Sequence, residues 1–330
     1  MISIKDMAKQ LGVSPSTISR VVNGKKYVNP EKRRQILDLI KETGYVPNKA
    51  ARSMVLQRSF TVGIVIPDTF NMFQRQLFSI IERYLESFGY HTLVFFVKFE
   101  GSSEEIFFNR LKSEHLDGII MIHEVKHPGF FEYVRDSRIP LVSATFDCEG
   151  IPSIHVQEEA AAMEAVNHLL KLGHTSIDMI SGTSPTFAIQ RINGYYRALE
   201  YAGLPREPHR VVMVPSYTPE SGESAMRELL LRDSNFTAVF AATDELAIGA
   251  IRALQDEGIR VPDDVSVVGF DDIDISSYYI PRLTTIRQPI QEIGERTALT
   301  LHHLISSPDA READAVLGYK LIVRESTRGR

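Results

Sequence analysis

The chain has 330 residues, 43% of them apolar and 24% charged, and a formal net charge of −5. That length exceeds one ordinary domain, so two or three are expected, with enough apolar material for large cores. The single cysteine, Cys148, excludes an intramolecular disulfide framework and a multi-cysteine zinc or iron–sulfur site; no apolar run approaches the ~20 residues of a membrane span, and no leader-like basic and apolar stretch opens the sequence, so a reducing cytoplasm is the expected compartment.

The charge is unevenly spread. Residues 1–60 carry twelve Lys/Arg against four acids, a balance of +8, which leaves 25 bases against 38 acids, or −13, for the remainder. A small basic module joined to a large acidic one points to a polyanion partner for the module.

The first segment predicts three short helices. Ser3 caps the first, with Asp6 three residues on, and Ile4, Met7, Ala8 and Leu11 form one apolar face that Gly12 ends. Ser14 caps the second and Pro15 occupies its first turn, where a missing N–H costs nothing. Ile18, Val21 and Val22 face inward, and Ser16, Thr17, Ser19, Arg20 and Asn23 largely outward. Asn29-Pro30 opens a third helix with Ile36, Leu37 and Ile40 as its apolar positions and Gly44 as its stop. Two amphipathic helices joined by a short turn containing Gly make a helix-turn-helix, and a small, polar, basic outward face suits a major groove. The plainer reading is a solvated three-helix bundle. Pro47-Asn48 then punctuates the chain, and residues 49–57 read as one short Ala-rich helix, marginal in isolation and ordered only when something packs on it.

From residue 61 the pattern changes. Short apolar runs at 61–67, 91–97, 117–122, 140–145, 176–181, 238–243 and 265–270 read as strands buried on both faces. Helical stretches at 73–88, 103–114, 129–137, 157–172, 187–202, 219–231 and 245–257 lie between them. This βα alternation implies parallel sheets in two doubly wound lobes, with ligands beyond the carboxyl ends of strands. Asp68, His123, Asp147, Thr243-Asp244 and Asp271-Asp272 occupy such positions.

The sequence resembles the lactose/galactose repressor (LacI/GalR) family over nearly its whole length. The resemblance is carried by IKDMAKQLGVSPSTISRVVNG and GYVPNKAARSM near the start, and by LGHTSI (172–177), Arg191 with Gly194, TDELAIGAIRAL (243–254), VPDDVSVVGFDD (261–272), LTTIRQP (283–289) and VRES (323–326). It implies a helix-turn-helix DNA-binding domain over 1–46, a hinge helix over 47–58, and an α/β core resembling periplasmic sugar-binding proteins. In that core one lobe takes 59–158 and 289–317, the other 159–288 and 318–330. It further implies a homodimeric cytoplasmic, nucleoid-associated regulator, most simply a repressor, on palindromic double-stranded operator DNA. The implied effector between the lobes is usually a sugar or sugar phosphate and sometimes a purine, and no cofactor, catalysis or membrane is implied.

By the same resemblance Pro15, Ser16 and Arg20 read bases, Arg20 by a bidentate bond to guanine. Thr17 and Ser19 anchor phosphates beside Ser14, Asn23, Lys25 and Lys26. In the hinge, Met54 stands where the family's leucine wedges into the minor groove; Asn48, Ala51 and Arg52 fit the same motif, Asn48 as helix cap. Alternatively, Met54 is an interior or dimer-facing residue. In the cleft Arg191 and Asp271 match the family's effector-binding pair, Phe73 its stacking aromatic and Gln288 a polar crossover residue. The alternatives are a structural salt bridge for the pair and a core position for Phe73. Thr243 and Gln157 depart from the family's common Asn and Asp, which weakens the carry-over of any one sugar's pocket. A regulator whose signal is a partner protein remains an alternative. No leucine heptad follows Ser326, so a tetramerising coiled coil is not expected.

His123-Glu124-Val125-Lys126-His127 satisfies the HExxH pattern, but that chemistry needs both histidines on one helix face, and this run follows a strand directly and meets Pro128-Gly129. It reads as a loop at the cleft rim. Cys148 reads as a packing residue and His302-His303 as a surface or interface pair.

Overall fold

Ser3 begins the first helix by a reciprocal capping box: its Oγ accepts from the Asp6 N–H at 3.2 Å, and Asp6 Oδ2 accepts from the Ser3 N–H at 3.0 Å. The computed structural model describes residues 3–22, 28–45, 58–68, 70–97, 103–183, 187–232, 235–307 and 309–330. It divides into two compact units, Met1–Ser59 and Phe60–Arg330.

In the first unit α1 (Ile4–Leu11) ends at Gly12, α2 (Pro15–Val22) starts from Ser14, and α3 (Pro30–Thr43) is capped by Asn29, whose Oδ1 accepts from the Glu31 and Lys32 N–H groups. Gly12 and Gly44 hold the left-handed conformation (φ 61° and 60°) that closes a helix and that a side chain resists. Met7, Ala8, Ile18, Val21, Ile36 and Leu39 form the core. One expectation is corrected here: Leu37 is 46% exposed, and Leu39 takes the inward place. Three residues after Ile36, Leu39 returns to the same face of α3, whereas Leu37 is turned about 100° away.

Among the described residues the second unit holds two six-stranded sheets. The elements run β1 (Thr61–Pro67), α4 (Met72–Ser87), β2 (His91–Val97), α5 (Ser103–Ser113), β3 (Gly118–Met121), α6 (Pro128–Asp136), β4 (Leu141–Ala144) and β5 (Ser153–Val156). They continue with α7 (Glu158–Lys171), β6 (Ile177–Gly182), α8 (Phe187–Tyr201), β7 (Val211–Val214), α9 (Pro219–Arg232), β8 (Ala238–Ala241), α10 (Asp244–Asp256) and β9 (Ser266–Asp271). The last are β10 (Thr284–Arg287), α11 (Ile290–Ser306), β11 (Ala315–Leu317) and β12 (Lys320–Ile322). The first sheet has the order β11-β5-β4-β3-β1-β2 and is parallel throughout; the second, β12-β10-β9-β8-β6-β7, is parallel except where β12 runs against β10. The chain passes from one sheet to the other after β5, again after β10 and again after β11, so each sheet with its helices forms one lobe.

The apolar runs at 61–67 through 265–270 all carry strands. β5, β7, β10, β11 and β12 add to them; β7 carries a further apolar run, VVMV at 211–214, and no such run marks the other four. They are three or four residues long, and β10 places two threonines in the interior, where Thr284 N–H finds the Ser326 hydroxyl and Thr285 bonds Asp244. The helices α7 and α8 approach so closely that a Cβ on Gly194 would stand 2.2 Å from the Glu159 carbonyl oxygen. That approach sets Arg191, one turn before Gly194, against the start of α7.

Candidate functional site

In the helical unit Ile18 and Val21 anchor α2 inward, which leaves Ser14, Pro15, Ser16 and Arg20 exposed and Thr17 and Ser19 half-buried. The Ser14 hydroxyl accepts from the Thr17 N–H at 3.2 Å and lies 2.7 Å from Ser16 Oγ and 2.8 Å from Thr17 Oγ1. The helix therefore begins in a cluster of hydroxyls beside N–H groups that no helical carbonyl satisfies, a surface suited to phosphate oxygens and base edges. Asn23, Lys25, Lys26, Asn48, Ala51, Arg52 and Met54 lie outside the described residues.

In the second unit a cavity of about 20 Å³ opens between the lobes, lined from one side by Asn71, Phe73, Gln74 and Thr145 and from the other by Glu158, Phe187, Arg191, Thr243, Asp271 and Gln288. That is room for one or two water-sized groups, so a larger ligand enters only when the lobes part. Phe73, Arg191, Thr243, Asp271 and Gln288 were named from the sequence; Asn71, Gln74, Thr145, Glu158 and Phe187 were not.

Arg191 is the centre. Its Nε donates to Glu158 Oε2 at 2.6 Å, its Nη1 to the Ala242 carbonyl, and its Nη2 stands 3.5 Å from Asp271 Oδ1. Gln288 Nε2 donates to the same Asp271 oxygen at 2.8 Å. The guanidinium carbon lies 3.6 Å from the Phe270 ring centre and 4.8 Å from that of Phe187. Arg191, Glu158, Asp271 and Gln288 are all buried, and burying such charges costs several kcal/mol unless they are paired. Burial opposes the Arg191 charge, but Glu158 and Asp271 outweigh it and hold the proton more tightly than usual. Burial also lifts Asp271 well above the usual carboxylate range, against the pull of Arg191 and Gln288. Two lining residues, Thr145 (φ 78°) and Asp271 (φ 115°), hold backbone conformations that L residues rarely adopt, strain of the kind that collects at binding sites.

Four residues expected at the cleft stand elsewhere. Asp244 is fully buried beneath it: its carboxylate accepts from the Ile273 N–H (2.9 Å), the Ser276 hydroxyl (2.6 Å) and the Thr285 hydroxyl (2.5 Å), and burial lifts its pKa to about 7. Thr243, the cap of α10, faces the cavity instead; one residue further round the helix, Asp244 turns inward. Asp68 and Asp147 are exposed and do not line the cavity. His123 is buried with its pKa lowered to about 4 by burial, hence neutral near pH 7, and it too stays out of the lining. The HExxH run is not helical: His127 caps α6, its Nδ1 accepting from the Gly129 N–H at 3.1 Å while Nε2 meets Glu105 Oε2 at 2.7 Å. Cys148 is half-buried opposite Ile151, and the His302 ring stacks on Phe88.

The lobes also meet away from Arg191. Glu245 Oε2, on α10, accepts from the Met72 N–H at the start of α4 at 2.9 Å. Burial raises the Glu245 pKa, and the bond from Met72 opposes that rise.

Comparison with known proteins accounts for both units. Residues 3–48 match the bacterial regulatory proteins of the lacI family, and residues 166–327 match the periplasmic binding protein-like domain. The chain is 33% identical to catabolite control protein A of Priestia megaterium over 331 residues, 99% of either protein. Among solved structures, that of the lac repressor dimer bound to operator and the anti-inducer ONPF superposes with a TM-score of 0.87 at 26% identity, covering 99% of each chain. A complex of the transcriptional regulator CelR with cellobiose gives 0.73 at 29% identity, over 99% of this chain and 100% of that one.

Proposed function

The chain belongs to the LacI family of bacterial regulatory proteins, and from that premise we propose that it is a cytoplasmic transcriptional repressor that binds a palindromic operator as a homodimer and is switched by a sugar-like ligand between its lobes. It performs no catalysis in this reading and uses no cofactor. The observation that carries the reading is the buried Arg191–Glu158–Asp271–Gln288 cluster at a closed interlobe cleft, in the same chain as a helix-turn-helix with an exposed polar α2. Relatives support each half: one is a dimer on operator DNA, and another holds cellobiose.

On the DNA side Arg20 reads a base edge, with Ser16 and Pro15 beside it, while Thr17 and Ser19 hold phosphates. On the effector side Arg191, Asp271 and Gln288 bond hydroxyls, and Phe73 with Phe187 supplies apolar faces for the C–H side of a ring. A ligand that binds one lobe arrangement more tightly than the other shifts the population between them, and with it the DNA affinity. The experiment is selection of operators from random duplexes by the wild type and by Arg20→Ala. The variant is expected to lose about 1–3 kcal/mol on the selected site and to relax preference at one position per half-site. Unchanged preference at every position would refute the role of Arg20.

A further inference from the structure

We infer that the cleft accepts only ligands without negative charge, so that an uncharged polyol is the effector class and the corresponding sugar acid or sugar phosphate is rejected. This rests on reading the cleft as a polyol site and narrows that reading. Among the described residues lining the cavity, Arg191 is the one basic residue. Its guanidinium is already engaged on three sides: Nε by Glu158, Nη1 by the Ala242 carbonyl, Nη2 by Asp271. Glu158 alone balances its charge, so whichever protonation state Asp271 adopts, no positive charge is left over for an anion.

Helix starts are the other common source of positive potential, and three of those at the cleft already meet carboxylates. The α7 start carries Glu158 and Glu159 and the α10 start Asp244 and Glu245, while Glu245 also takes the Met72 N–H at the start of α4. These three starts contribute lining residues and hold carboxylates of the chain itself; the start of α8, whose Phe187 also lines the cavity, has no acid in its first turn. Asn71, Gln74, Thr145 and Thr243 give the cleft uncharged donors, and beside them stand acceptors that still need a proton. Gln288 Oε1 is buried in it with no hydrogen-bond partner among the described residues, and the Glu158 and Asp271 carboxylates stand beside it. A hydroxyl gives such acceptors a proton; a carboxylate or phosphate gives them repulsion.

The test titrates the full-length protein with matched pairs by calorimetry and thermal shift: glucose and glucose 6-phosphate, ribose and ribose 5-phosphate, galactose and galacturonate, cellobiose and cellobionate. For the sugar that binds, the anionic counterpart is expected to bind at least about tenfold more weakly. Glu158→Gln, which leaves Arg191 less compensated, is expected to narrow that gap. An anion that binds as tightly as its neutral partner overturns the inference and leaves the polyol site standing. Failure of every sugar and every anion to bind overturns the polyol site and the inference with it.

Discussion

Asp271 joins the two properties that a switch residue needs: it is buried against Arg191, and it sits in a backbone conformation that its neighbours must enforce. Asp271→Asn retains an acceptor for Gln288, tolerates a positive φ, and leaves Arg191 balanced by Glu158. The variant is expected to fold and to bind operator as the wild type does, while its effector dose–response moves at least about tenfold to higher concentration; an unshifted dose–response would remove Asp271 from the site. Asp244 carries a separate, pH-linked consequence. Burial lifts its folded pKa to about 7, well above the 3.8 usual for a free aspartate. Between those values the folded state binds the proton that the unfolded state has released, so stability from this group falls as pH rises from about 4 to 7 and is level above. Asp244→Asn lacks that dependence. The stability advantage of wild type over the variant, followed by denaturant unfolding, should be larger at pH 5 than at pH 8; an advantage constant across that range would contradict the assignment.

The residue scale also shows what a sequence conceals. Arg191, Asp271, Thr243, Phe73 and Gln288 were legible because each sits at a recognisable motif, and the fold brings them to one cavity. Glu158 reads as an ordinary acid in the first turn of a helix; only the close passage of α7 over α8 at Gly194 shows that it faces Arg191. Thr145 reads as the last residue of the strand over 140–145, since the positive φ that takes it out of β4 leaves no trace in the sequence. Asp244 was misread for the opposite reason: an acid beyond a strand end promises a ligand, but one step of helical rotation separates Thr243, which faces the cavity, from a carboxylate that pins the Ile273–Ser276 turn from below.

At the scale of elements, the lobes are joined by crossovers after β5, β10 and β11 and by the hydrogen bond from Met72, at the start of α4, to Glu245 on α10. A carboxylate at a helix start is stabilising through both the hydrogen bond and the helix dipole. Here the helix and the carboxylate belong to different lobes, so this energy favours the closed cleft. Glu245→Ala is expected to shift the free protein toward an open form, read as a larger radius of gyration by small-angle scattering and a weaker apparent ligand affinity. An unchanged radius together with unchanged affinity would show that the contact contributes nothing to closure. Long apolar strands and periodic helices were visible in the sequence at this scale. β7 carries the same signal in a four-residue run, VVMV, whereas β5, β10, β11 and β12 have no such run, and β10 keeps its threonines inside through bonds to Asp244 and the Ser326 region, which only the folded chain supplies.

At the scale of the whole molecule, the division of charge is the simplest trace of function. A net −5 hides +8 in residues 1–60 and −13 in the rest. The acidic body repels DNA, so binding falls to the basic helical module and should weaken steeply with salt. The most direct test of the account joins the two ends of the chain. Operator affinity is measured by fluorescence anisotropy, without ligand and then with saturating amounts of the sugar that most raises the melting temperature. A change of at least about fivefold is expected, with an equal reciprocal change in sugar affinity on adding operator. An operator affinity that stays the same while the cleft is saturated would contradict it.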